Sequence, residues 1–449
     1  MRSPLVVFCL ALAACASPAP KVEMPTIAPL SDTLPPMRTF GAPQPLPARR
    51  SNAEMARDFL DLSFAMESGE PLRVMSRFEG PITVALRGSV PKTGKQDLDR
   101  VLARMRNEAE LDIRRTTEPA DVTVEFVPAR QLRDLAPEAA CFVVPRVSSF
   151  AEYSQNLTSR DLDWTTLTQR EKAAVFIPAD ESPQEIRDCL NEELAQSIGP
   201  LNDLYRIPDT IFNDDNFVNV LTGFDMLMLR IYNAPEMRSG MTREEAAQIV
   251  PQLLRRFNPS GEFSAPATAP ETPRKWVRAI ETAFGPNADD SGRLRAAQRA
   301  LRIAQSEGWT DSRLGFSWFA VARLSLDTDI PAALEGFINA ARVFRTLPDG
   351  DIHAAHVDMQ MAAFALSTGQ VDGALLLTDA AIPVARASEN AGLLSTLLMI
   401  RSEALRLQGD DAGSKAARLE SLGRGRYGFR DDDDLRTRLA EVEALAPLF

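Results

Sequence analysis

The sequence predicts an α+β domain followed by an all-α helical-repeat domain. Three observations predict this. Strand-like runs of period two interleave with helical patterns as far as about Leu254. Periodicity then disappears over residues 258–273, which collect Pro and Ser, and no strand-like run follows. Beyond that break, Ala333-Leu334-x-x-Phe337-x-x-Ala340 recurs as Ala374-Leu375-x-x-Thr378-x-x-Ala381, a step that suits a repeated helix pair.

The chain opens with Arg2 and the apolar run Leu5 to Leu12, too short to span a bilayer, as in a secretory signal. Leu12-Ala13-Ala14-Cys15 then resembles the lipobox of bacterial lipoproteins, which implies that residues 1–15 are a lipoprotein signal and that Cys15 carries lipid. An ordinary secretory signal with an Ala-x-Ala-like site is the other reading. Acyl chains anchor by burying methylenes. Ala16 and Ser17 are not the Asp-type retention signal, so the resemblance implies the periplasmic face of the outer membrane. Residues 16–50 hold Pro18, Pro20, Pro25, Pro29, Pro35, Pro36, Pro43, Pro45 and Pro47, which favour an extended tether. No other apolar run is long enough to cross a membrane.

The rest divides into 51–257, a linker at 258–273, and 274–449. A helix is expected at 51–67 on the spacing of Met55, Phe59, Leu60 and Phe64, and another at 96–108 on Leu98, Val101, Leu102 and Met105. Strands are expected at 81–87, 120–127, 141–144 and 173–177. Ser182 as N-cap, Pro183 in the first turn and Glu185 at the capping-box position open a helix that continues past residue 192. In the C-terminal part, turns recur at Thr328-Asp329, Gly369-Gln370 and Gly409-Asp410. With Trp318 and Ala322 in the preceding helix, residues 275–425 resemble a degenerate tetratricopeptide array, which implies protein binding. The acidic run Asp431 to Asp434 is expected to cap the last helix.

Charge and cysteine usage narrow the function. A net charge of −12 makes nucleic acid and anionic lipid poor partners for the body. Of four cysteines, Cys9 leaves with the signal and Cys15 takes lipid, leaving Cys141 and Cys189. An even pair in an oxidising compartment favours one disulfide, two buried thiols being the alternative. There is no P-loop and no dinucleotide fingerprint, and no cofactor is expected. The two histidines, His353 and His356, read as exposed residues of one helix face, and Asp214-Asp215-Asn216 reads as turn chemistry.

Residues 192–202, Glu-Glu-Leu-Ala-Gln-Ser-Ile-Gly-Pro-Leu-Asn, resemble the metzincin pattern H-E-x-x-H-x-x-G-x-x-H with its spacing kept and its histidines gone. In that family the histidines hold zinc and the Glu activates its water. The resemblance places Glu192, Gln196 and Asn202 at the degenerate ligand positions, Glu193 at the vestigial base position and Gly199 at the turn. Thr210-Ile-Phe-Asn213 resembles the Met-turn, with Phe212 in the methionine's place, and the segment Leu221 to Asp225 with Leu229 to Tyr232 resembles the helix after it. The likeness covers residues 75–235, which especially resemble an uncharacterised lipoprotein-associated family of Gram-negative bacteria. It implies a zincin-like fold without zinc, in which Glu193 and Gln196 bond the helix to the Phe212 turn. The function expected is therefore a non-catalytic protein that binds a periplasmic protein or cell-wall component. The alternative is an atypical hydrolase using Glu193, with a metal held by Glu192 and Gln196.

Overall fold

The computed structural model describes residues 34–41, 46–137, 139–264 and 269–447. Cys15 and the signal segment lie outside the described residues, as does much of the 16–50 stretch.

The N-terminal region is α/β. Helix α1 (Asn52–Ser63) starts at a capping box: the Ser51 side chain accepts from the Glu54 amide, and the Glu54 carboxylate accepts from the Ser51 amide. There follow β1 (Ile82–Gly88), α2 (Gly94–Glu108), β2 (Ile113–Arg115), β3 (Val122–Val127), α3 (Ala129–Leu135), β4 (Phe142–Pro145), α4 (Phe150–Gln155), β5 (Ala173–Pro178), α5 (Pro183–Ile198), α6 (Gly223–Tyr232) and α7 (Arg243–Phe257).

The strands form one mixed sheet in the order β2-β1-β3-β5-β4. All pairs are parallel except β4 against β5, which makes β4 an antiparallel edge. Register sets Val84 beside Val122, and Val124 beside Val175. Period-two alternation then sorts the faces. Val175 and Ile177 join the main core with Leu98, Leu102, Leu190 and Leu194 of α2 and α5. Ala174 and Phe176 point the other way, into a smaller cluster with Val144 and Phe150. Strand β2 and helices α3 and α4 were absent from the expected elements; each is short, and β2 has only three residues.

The C-terminal region is helical: α8 (Arg274–Phe284), α9 (Asp290–Ser306), α10 (Ser312–Ser325), α11 (Ile330–Phe344), α12 (Asp351–Ser367), α13 (Val371–Ala387), α14 (Ala391–Gln408), α15 (Asp411–Gly428) and α16 (Asp432–Leu445). It is repeat-like. Helices α10, α12 and α14 begin at 312, 351 and 391, steps of 39 and 40 residues, and each is followed by a partner. The expected turn residues Asp329, Gln370 and Asp410 are the N-caps of those partners. Ala333, Phe337 and Ala340 of α11 are buried, as are Ala374, Thr378 and Ala381 of α13. Asp431 caps α16 through the amides of Asp433 and Asp434.

The two regions share packing. Tyr205 and Phe217, from the loop between α5 and α6, enter the helical core beside Trp276 and Phe316. The described residues of 35–50 also run along the body. The Arg38 amide donates to Gly423 O at 2.8 Å, Phe40 meets Tyr427 edge-on, and Arg50 donates to Asp58 and Asp209. Among the described residues, no helix is long and apolar enough to cross a membrane.

Candidate functional site

Helix α5 positions the site. Ser182 caps it by accepting from the Glu185 amide, and Pro183 sits in its first turn, where no intrahelical donor is lost. Ile186, Leu190, Leu194 and Ile198 bury one side against the sheet. The C-terminal end is held by Arg170, which is almost fully buried and donates to Gln196 O at 2.7 Å and Gly199 O at 2.6 Å. A cation there satisfies the last carbonyls and opposes the helix dipole. Gly199 admits no side chain, because a Cβ would stand 2.5 Å from Leu229 Cδ2 and 2.9 Å from Ala195 O. A disulfide joins Cys141, at the start of β4, to Cys189 of α5 and so ties the edge strand to the helix.

Between α5, β4 and the loops around them lies a cleft of about 480 Å³. Glu192, Glu193 and Gln196 of α5 line it, with Asp203 and Asp214 from the following loop and Glu67 from the turn after α1. Phe142, Trp164 and Leu201 form an apolar wall. Among the described residues, no Lys, Arg or His lines it.

Exposure is graded across the five carboxyls. Glu67 and Asp214 are exposed at the rim, Glu192 and Asp203 are partly buried, and Glu193 is 5% exposed at the floor. Glu67 accepts from Gln196 Nε2 at 2.9 Å, and Asp214 accepts from the Tyr205 hydroxyl at 2.7 Å. Glu193 Oε2 and Asp203 Oδ1 are buried with no hydrogen-bond partner.

Burial without a cation favours the neutral acid. It pushes the Glu192 carboxyl up to about 8, helped by Glu67, Asp214 and Asp188. Glu193 is held well above the carboxylate range by burial, then by Glu192 and Glu67. Asp203 is likewise well raised, by burial and then by the same acids. A general base must be free of its proton near the working pH. The upward shift of Glu193 runs against its serving as such a base.

Several sequence expectations are corrected here. Glu193 and Gln196 do not bond the helix to the Phe212 turn: Gln196 donates to Glu67, and Glu193 Oε2 is unpartnered. That turn is held instead by buried Asp225, which accepts from Thr210 Oγ1 at 2.5 Å, the Ile211 amide at 3.1 Å and the Thr222 amide at 2.7 Å. Asn202 does not line the cleft. After Gly199 the chain turns toward α1, where Asn202 Nδ2 donates to Asp61 O at 2.9 Å.

The histidines are not exposed. His353 is fully buried, with Nε2 2.9 Å from Asp215 Oδ2, and it packs on Phe217. His356 is partly buried, and its pKa is lowered to about 3 by desolvation, then by His353 and Arg323. Asp214-Asp215-Asn216 is more than a turn. Asp215 does accept from the Phe217 amide, but it also anchors His353, while Asp214 faces the cleft. Glu67, Asp203 and Asp214 were missed as site residues. Their one signal in the sequence is acidity in loops without a neighbouring basic residue.

The zinc implied by the metzincin resemblance does not fit these residues. No imidazole reaches the cleft, Gln196 is engaged as a donor, and Asn202 is bonded elsewhere. Among the described residues, no group of three or more His, Cys, Asp or Glu is arranged to hold a metal ion.

Residues 52–252 match the model of a family described as a protein of unknown function, DUF2927. The chain thus carries a DUF2927 domain, which takes in the sheet, α5 and the cleft acids, with the helical region α8–α16 outside it. No curated protein and no solved structure matches the chain.

Proposed function

We propose that this chain is a non-catalytic, lipid-anchored protein of the cell envelope. It faces the periplasm from the outer membrane and uses its cleft to hold a periplasmic protein or cell-wall component. Its α/β region is read as a zincin-like fold that has lost its metal chemistry, and its helix pairs as a tetratricopeptide-like second binding surface. The observation that carries the reading is Glu193: a buried carboxyl at the old base position, its Oε2 without a hydrogen-bond partner, in a cleft without a metal-ligand set. Burial that raises this carboxyl works against its activating water as a base, yet a cleft of this size can still hold a ligand. The Cys141–Cys189 disulfide suits an oxidising compartment, and the lipobox-like segment ending at Cys15 supplies the anchor.

The competing hydrolase reading is separated by one experiment. The purified lipoprotein is incubated with a peptide library and with cell-wall fragments, and products are read by mass spectrometry. The binding reading expects no product that depends on Glu193. A product formed by the wild type and lost in Glu193→Gln would establish the hydrolase instead.

A further inference from the structure

The cleft does not end at Glu193. A second hollow of about 300 Å³ runs along α5 toward its N-terminus. It shares Ala140, Cys141, Glu192 and Asn216 with the first, so the two form one groove. Glu185 and Asp188 line this second part, and again no described Lys, Arg or His does so. Asp188 is answered by Arg187 at 2.7 Å and by Asn219 at 2.6 Å. The deeper part is different. Glu192, Glu193 and Asp203 make no hydrogen bond or ion pair to a described residue, and Glu193, 5% exposed, lines the cleft with a buried, unpartnered Oε2.

Uncompensated acids of this density call for positive charge. A lone metal ion would require several oxygens converging on one point at metal–ligand distance. The described residues offer no such group. The acids are instead spread from the rim to the floor and along α5, in a cleft that Phe142, Trp164 and Leu201 also line. That pattern matches charged groups carried on aliphatic stems, whose methylenes pack on the wall while their N–H donors reach separate carboxylates.

We propose that the groove along α5 binds an organic polycation, a chain bearing two or more ammonium or guanidinium groups, one of which is received by Glu193. The proposal rests on the binding reading above and gives its ligand a chemical class. A basic stretch of a partner protein and a free polyamine share this chemistry.

Isothermal titration calorimetry on the intact protein tests it. The probes are an unstructured peptide alternating Lys or Arg with small residues, an acidic peptide of equal length, spermidine, and calcium ion. The basic peptide is expected to bind and the acidic one not to. Glu193→Gln should weaken binding about thirtyfold or more, because it removes the buried carboxyl that an arriving cation holds in its charged form. Glu67→Gln, at the solvent-exposed rim and less able to disturb the fold, should weaken it about threefold. Spermidine binding with the same dependence on Glu193 would assign the site to a free polyamine, and its absence would assign it to a peptide. Binding of calcium alone, of neither polycation at millimolar concentration, or of a peptide indifferent to both variants would overturn the proposal. Cleavage of the peptide, read by mass spectrometry on the same sample, would overturn the non-catalytic reading instead.

Discussion

Replacing Glu192 by Gln should stabilise the protein at alkaline pH and leave it nearly unchanged at acidic pH. The sign follows from proton linkage. The folded state raises this carboxyl from its ordinary 4.5 to about 8. The folded protein therefore binds the proton more tightly than the unfolded chain, and stability from this group is lost as pH rises through the folded value. Each unit of difference corresponds to about 1.4 kcal/mol, so moving from about pH 5 to about pH 8 costs the wild type roughly 3 kcal/mol. Solvent reaching this partly buried group screens some of that, which makes the figure a ceiling. The Gln variant keeps the shape of the protonated acid and escapes the cost. At about 2 °C per kcal/mol, its Tm should exceed the wild type's by several degrees at the higher pH, with the two nearly equal at the lower. Differential scanning fluorimetry across that range, without divalent cations or polyamines in the buffer, reads the difference directly. A pH-independent difference, or a variant that loses ground as pH rises, would mean that Glu192 is ionised and paired. The description of an uncompensated cleft would then be wrong.

Three further outcomes follow from the same residues. Changing both Cys141 and Cys189 to Ser should cost about 4 kcal/mol by the chain-entropy relation for a bridge of sequence separation 48, read as a lower denaturant midpoint that reductant reproduces in the wild type. Asp215→Ala should destabilise by about 2–4 kcal/mol, since it strands His353 Nε2 in the interior and removes the acceptor for the Phe217 amide; chemical denaturation checks it. Cys15→Ala should move the protein from the membrane fraction to the periplasmic extract, because one residue carries the proposed acyl anchor. Continued membrane association would count against the lipoprotein reading.

The long elements were legible in the sequence because each has a local cause. Val122 to Val127 and Ala173 to Ile177 carry β-branched and apolar residues at strand spacing, and Ser182-Pro183 with Glu185 marks the start of α5. Three residues of β2 are too few to show any period, so only the ladder with β1 defines it. In the site, helical spacing carries Glu192, Glu193 and Gln196 to the cleft together. Asn202 escapes because, after the turn that Gly199 marks, the chain runs to α1, a direction that no local signal gives. Glu67, Asp203 and Asp214 come from separate loops, and their neighbourhood exists only once the chain has folded. The burial of His353 did leave a trace. In helix α12, Ile352, Ala354, Ala355 and Val357 surround the histidine on more than one face, and such a segment packs on more than one neighbour.

The proposed function requires a cleft over α5 that holds no metal. The most direct measurement is the metal content of the protein, purified without chelators and read by plasma mass spectrometry, for wild type and for Glu192→Gln and Gln196→Ala. Substoichiometric metal is expected in all three, with no difference among them. A stoichiometric metal in the wild type that is lost in either variant would contradict it and restore the hydrolase.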